Sequence, residues 1–176
     1  MPTARSKFFR NKRDHLDEPK FIVHEPDHLD EMVDGNPICE NNPQIRGGRT
    51  GSRAAVVQAL YESDSSGHPA VATVKRLTKE RELTVEDIDF ATRLVKICED
   101  QRGHLDSRIS GIASQYPSEQ MPLVERNILR VAIAELEMTD AAPESVVANE
   151  AVELARLFGS NSSPKFINGV LGALLG

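Results

Sequence analysis

The sequence predicts an all-α fold. Apolar residues recur at helical spacing through most of the stretch from Ala54 to Leu174. Helix punctuation falls between those stripes: Thr84 three residues before Asp87, Pro122 and Pro164 at helix starts, and Gly159 at a helix end. The available core is aliphatic, because aromatics make up 5% of the chain and tryptophan is absent. These patterns support five or six helices in one domain, and 176 residues are enough to bury a sizeable core.

Charge and cysteine usage narrow the function class. The net charge of -6 gives no global attraction for nucleic acid, so any RNA site has to be a local basic patch. Cys39 and Cys98 are far apart, which fits neither a disulfide framework nor a metal cluster. No apolar run reaches the roughly 18 residues of a membrane span, and the N-terminus lacks a signal-peptide core. The expected compartment is the cytoplasm, with no membrane partner, cofactor or metal.

Residues 1–48 read as a disordered extension, basic and then acidic. Met1–Arg13 carries five cations and no acid, whereas Asp14–Gln44 carries nine acidic residues against one lysine. Prolines 19, 26, 37 and 43 interrupt any period. His15, His24, His28 and Cys39 are too irregularly spaced for a metal site. A functional reading stays open, in which the acidic part screens a basic surface or the basic part touches RNA.

The folded domain, residues 49–176, opens with Ala54, Val57, Leu60 and Tyr61 as the apolar stripe of a first helix. Arg46, Arg49 and Arg53 stand off that stripe, at the helix end where a cation gains nothing from the dipole. They read either as solvated arginines or as a site for a ligand anion. A loop is expected over 62–70 and a mixed helix over 71–83, with Val71, Val74 and Leu77 inward. Thr84 and Asp87 resemble a capping box for a long helix whose buried side runs from Ile88 through Cys98 to Ile112. Gly103 marks its soft point, and Cys98 reads as a buried structural thiol. Tyr116–Ser118 is a break. The helix over 123–137 has an apolar arc too wide for a surface position, which makes it central. Arg126 and Arg130 lie one turn apart on it, with Glu125 and Glu135 as candidate partners and RNA as the other reading.

The chain ends in a helical hairpin. Val147, Ala151, Leu154, Ala155 and Phe158 form one stripe, Gly159 ends it with an expected left-handed cap, and a helix restarts with Ser163 as N-cap and Pro164 at its first position, carrying Phe166, Val170, Ala173 and Leu174. Within this hairpin, Asn149–Arg156, Phe158-Gly159 and Ser163–Leu171 together resemble the C-terminal signature of the NusB family of transcription antitermination proteins. Arg49 to Tyr61 is similar to the family's arginine-rich start, although Thr50 and Gly51 stand where relatives often carry further arginines. Val124–Ala132 is similar to the family's central helix, without the aromatic that relatives usually place near Ala134.

The resemblance implies about seven helices in two small packed bundles. It also implies a non-catalytic RNA-binding factor that recognises boxA RNA with ribosomal protein S10 (NusE). That pair would act in the RNA polymerase antitermination complex and support transcription of ribosomal RNA operons. A related domain is fused to some ribosomal RNA methyltransferases; with the sequence ending at Gly176, the free-standing factor is the expectation here. The expected RNA site joins Arg49 and Arg53, both exposed, to Lys165 and Phe158, with Arg46 as accessory and open backbone amides around Ser163–Phe166 meeting a phosphate. Phe158 reads equally as a stacking or a core residue. Asn149 and Asn168 are expected to supply at least one buried amide that holds the hairpin, and Gly169 and Gly172 to permit close packing.

No catalytic pattern competes with this reading. Glu125, Glu135, Glu150 and Glu153 are helix residues without a suitably spaced histidine, and neither a nucleophile elbow nor a phosphate-binding glycine loop is present. The alternative from another class is a helical protein-interaction scaffold with weak or lost RNA binding, motivated by the thinned arginine patch and the net charge.

Overall fold

A computed structural model describes residues 47–113 and 120–176. Seven α-helices account for them: α1 (Gly48–Ser66), α2 (Ala70–Glu80), α3 (Val85–Asp100), α4 (Arg102–Ile112), α5 (Leu123–Leu136), α6 (Glu144–Phe158) and α7 (Ser163–Leu175). Helices α1, α2 and α3 pack on one another, and α4, α6 and α7 gather around α5. The two groups meet where α5 lies against α1 and α3. The all-α expectation and the packed bundles are thus observed. Arg46, Cys39, residues 1–46 of the expected 1–48 extension and the Tyr116–Ser118 break lie outside the described residues; Gly48, placed in that extension, is the first residue of α1.

The central position of α5 follows from its sequence. Residues 127–135 are all buried, so the helix meets neighbours on every side. Ile128, Leu129 and Ile133 supply its apolar contacts and pack with Leu60, Phe90 and Leu154 in one continuous core. Cys98 is fully buried as a free thiol in that core. Burial pushes its pKa up to about 12, more than the nearby Arg130 and Arg102 charges pull it down.

Helix ends show where local signals held and where they did not. Thr84 caps α3 as expected: its Oγ1 accepts the Asp87 N–H at 3.2 Å and donates to the Asp87 carboxylate at 2.8 Å. The loop expected over 62–70 is shorter, because α1 continues to Ser66. There the Ser65 and Ser66 hydroxyls donate back to the Tyr61 and Glu62 carbonyls, and Gly67 supplies the left-handed cap at φ 77°. Tyr61, placed on the stripe by spacing, is 45% exposed at that extended end. The long helix breaks at Gln101, two residues before Gly103, and α4 starts afresh with Arg102.

The glycines of the terminal hairpin also differ from expectation. Gly159 is extended, with φ −99° and ψ −176°, so it is not a left-handed cap. It is needed for space: a Cβ there would meet the Ser163 Cβ and Oγ at 2.5 Å and the Ala155 carbonyl oxygen at 2.8 Å. Gly169 and Gly172 face open space, and no neighbour approaches the position of an added Cβ.

The packing sets the sign of two glycine substitutions and the reactivity of one thiol. Gly159→Ala should destabilise the chain by about 1–3 kcal/mol through overpacking. Gly169→Ala should instead stabilise it by about 0.5–1 kcal/mol, through helix propensity alone; paired urea unfolding curves give both signs. In a Cys39→Ser background, Cys98 should resist a maleimide at pH 8 until denaturant is added, and fast labelling of the native chain would contradict its burial.

Candidate nucleic-acid interface

The start of α1 presents two arginines one turn apart, with different environments. Arg49 is exposed, and its Cζ lies 4.0 Å from the centroid of the buried Phe90 ring of α3. Arg53 is only 4% exposed. Its Nε and Nη2 each donate to the Glu135 carboxylate at 2.6 Å, and Nη1 reaches Glu150 at 3.2 Å. Thr50 donates to the same Glu150 oxygen at 2.8 Å. Burial opposes the Arg53 charge, but the bonds and charges of Glu135 and Glu150 outweigh it and raise the pKa.

The expected exposure of Arg53 is therefore corrected. A stripe of spaced apolar residues marks one buried face, yet Gly51 through Val57 are all buried, since α1 meets α3 and α5 as well as α2. Arg53 sits in the part of that surface where carboxylates from α5 and α6 converge.

The partners expected for the α5 arginines are also corrected. Glu135 belongs to Arg53, and Glu125 accepts a hydrogen bond from the Ser163 hydroxyl. Arg130, 2% exposed, instead donates to Asp106 of α4 at 2.6 and 2.7 Å and to Asp64 of α1 at 2.8 Å. Arg102 also bonds Asp64, and Arg126 lies 3.7 Å from it. Asn127 completes the group, donating to Asp64 at 3.1 Å and accepting from Arg130 at 2.9 Å. Burial pushes the Asp64 carboxyl up, but the bonds from Arg102 and Asn127 and the Arg130 charge leave it below the usual carboxylate range.

The second half of the expected site lies at the loop before α7. Lys165 is exposed and Phe158 is half-buried against the core. Ser163 is 1% exposed; its hydroxyl accepts the Ser160 N–H at 2.8 Å and donates to Glu125. The amides of Ser163 and Phe166 are already paired, with the Ser160 and Ser162 carbonyls, and Pro164 has none. The row of open amides expected there is thus not present, because the 160–163 turn consumes them.

The two halves are anchored at opposite ends of α5, through Glu135 to Arg53 and through Glu125 to Ser163. Ten residues separate those glutamates, a rise of about 15 Å along the helix.

Asn149 and Asn168 are both exposed, which overturns the buried-amide expectation for the hairpin. Asn149 points away from the buried positions Val147 and Ala151, and Asn168 follows the buried Ile167. The buried amide is Asn127, which spacing did not single out because it lies within the apolar run of α5. Phe90, Glu150 and Asp64 complete the surroundings of these arginines and were equally silent in the sequence, whereas Glu135 was singled out as an acidic partner but for an arginine of its own helix. Among the described residues, no group of acidic, histidine or cysteine side chains is arranged to hold a metal ion, and no helix is long and apolar enough to cross a membrane.

Comparison with known proteins places this arrangement. A family model for the NusB family matches residues 50–175. The transcription antitermination protein NusB of Dehalococcoides mccartyi strain CBDB1 is 44% identical over 126 residues, covering 72% of this chain and 88% of that protein. The NusB protein of Herpetosiphon aurantiacus is 40% identical over 126 residues, covering 70% and 86%. Among solved structures, NusB of T. maritima superposes with a TM-score of 0.66 at 26% identity, covering 71% of this chain and 88% of that one. A chain from a crystal structure of antitermination factors NusB and NusE with dsRNA gives 0.64 at 28% identity, covering 72% and 94%.

The buried charges make two predictions. Arg53→Met should cost about 3–5 kcal/mol, because Glu135 is left buried without its partner, and Arg53→Met/Glu135→Leu should recover part of that loss. A double variant no more stable than the single one would refute the uncompensated-charge account. The second concerns acid. Asp64 has a depressed folded pKa, so its contribution is complete above the unfolded value of about 4 and is lost as pH falls through the folded value. Asp64→Asn should lower Tm at pH 7, and the gap to the parent chain should close as the pH drops below about 4.

Proposed function

The chain belongs to the NusB family, and from that premise we propose that it binds a boxA element of nascent RNA together with ribosomal protein S10 (NusE). NusB-family proteins are non-catalytic, RNA-binding factors of transcription antitermination. The finer reading is that residues 49–176 form the RNA-binding domain of a cytoplasmic factor. It would join the RNA polymerase antitermination complex and support transcription of ribosomal RNA operons.

The observation that carries this reading is the exposed Arg49 at the start of α1, its guanidinium over the Phe90 ring while the nearby Asp140 carboxylate is bonded by Arg93. It is a cation set at the positive end of a helix, where an arriving phosphate meets both the guanidinium and the helix terminus. Lys165 is a second exposed cation, in the first turn of α7. A flexible single strand can reach both, and exposed bases supply sequence choice through stacking and hydrogen bonds. Ser163 supports Lys165 by holding its loop, and Arg53 supports Arg49 by fixing α1. Arg46 adds a cation just upstream, and Phe158 contributes an aromatic edge next to the loop. The similarity to a NusB chain solved with NusE and RNA supports the choice of partner.

Titration of a boxA RNA and a scrambled control, with and without S10, at two salt concentrations tests the proposal. The native chain should prefer boxA, more strongly with S10 present. Arg49→Gln and Lys165→Gln should each weaken binding and reduce the salt slope by about 0.7, with Tm unchanged. Absence of sequence preference even with S10 would overturn this reading in favour of the helical interaction scaffold.

A further inference from the structure

We infer that Phe90 is a positioning residue for RNA binding, its ring holding the Arg49 guanidinium flat and aimed outward. The inference rests on the RNA reading above and adds to it a buried residue of α3. Three observations converge on the ring. Phe90 is 0% exposed, although it lies beneath an exposed arginine, so Arg49 is part of its cover. The Arg49 Cζ is 4.0 Å from the ring centroid, within the range of a guanidinium over an aromatic face. Arg53, one turn further on, is 5.7 Å from the same centroid, but its fork is committed to Glu135 and Glu150.

The surroundings leave the outer edge of Arg49 open. The carboxylate whose ionisation Arg49 assists is that of Asp140, in the turn after α5. Both Asp140 oxygens are held at 2.9 Å by the fork of Arg93, which also bonds Asp89 at 2.9 Å. With Asp140 engaged by Arg93, the Arg49 donors are not spent on a surface ion pair. The guanidinium carbon lies over the ring, and among the described residues no side-chain carboxylate is bonded to its N–H groups, which remain for an anion. An arginine has many rotamers to lose when it is ordered by a ligand. A ring that has already ordered it reduces that loss and improves affinity without touching RNA.

The test is a double-mutant cycle on the full chain, read by fluorescence anisotropy with a labelled single-stranded boxA RNA and a scrambled control. Melting curves accompany every variant. Phe90→Leu should weaken boxA binding about two- to fivefold in the native background, and should have no further effect once Arg49→Gln is present. Arg49→Lys keeps the charge and loses the planar stack; it should weaken binding by a similar factor at an unchanged salt slope. Equal weakening by Phe90→Leu in both backgrounds would show a general packing role and overturn the inference. So would native affinity in Arg49→Lys, which decides the matter alone if Phe90→Leu does not fold. Loss of the boxA preference in the native chain would remove the RNA reading and this inference together. A native preference without Phe90–Arg49 coupling removes the inference only.

Discussion

Two buried guanidinium groups constrain the whole domain. Arg53 of α1 and Arg130 of α5 are 4% and 2% exposed, and neither charge is tolerable in a core without carboxylates at bonding distance. The carboxylates come from other helices. Glu135 of α5 and Glu150 of α6 serve Arg53, while Asp64 of α1 and Asp106 of α4 serve Arg130. The two networks cross-link α1 and α5 in both directions. Aliphatic packing tolerates small slips between helices, whereas a two-pronged guanidinium–carboxylate pair accepts only a narrow range of positions. The register of α1 against α5 therefore depends on these pairs, and the rest of the core is arranged around that axis.

The same constraint separates structural cations from those available to a ligand. Arg49 and Arg53 are one turn apart, of one residue type, at one helix start. Tertiary packing brings two glutamates to Arg53 and an aromatic ring to Arg49. Only Arg49 stays at the surface, with no carboxylate bonded to it among the described residues. At the far end of α5, Glu125 holds the Ser163 hydroxyl, which sets the turn that leads into Lys165. Gly159 makes that turn possible, since any side chain there would collide with Ser163. The central helix thus carries both halves of the candidate RNA surface on its two terminal glutamates.

Legibility in the sequence followed the range of the interactions. Signals that act within one turn were readable: the Thr84 cap, the helix restart beside Pro164, and the apolar period of the helices. The expected Ser163 cap was not, because Ser162 takes the N-cap position and the Ser163 hydroxyl turns to Ser160 and Glu125. The buried thiol of Cys98 was readable too, because its position on the stripe and its chemistry agree. Asn149 and Asn168 were misplaced because a helical amide beside apolar neighbours can face either way, and only the packing of α6 and α7 decides which. Gly159 was recognised as necessary for a reason that the backbone then replaced, extended geometry and a close approach in place of a left-handed cap.

The amino-acid sequence by itself determined the all-α class, the central position of α5 and, through its signature residues, membership of the NusB family. Those properties rest on periodicity, capping and residue identity, which are local or read directly from the chain. Tertiary structure alone decided which arginines are consumed and which remain free. The deciding partners lie far away in sequence, Arg53 being 82 residues from Glu135 and 97 from Glu150. No local pattern encodes such a meeting, because burial of a charge is settled by every helix that packs around it.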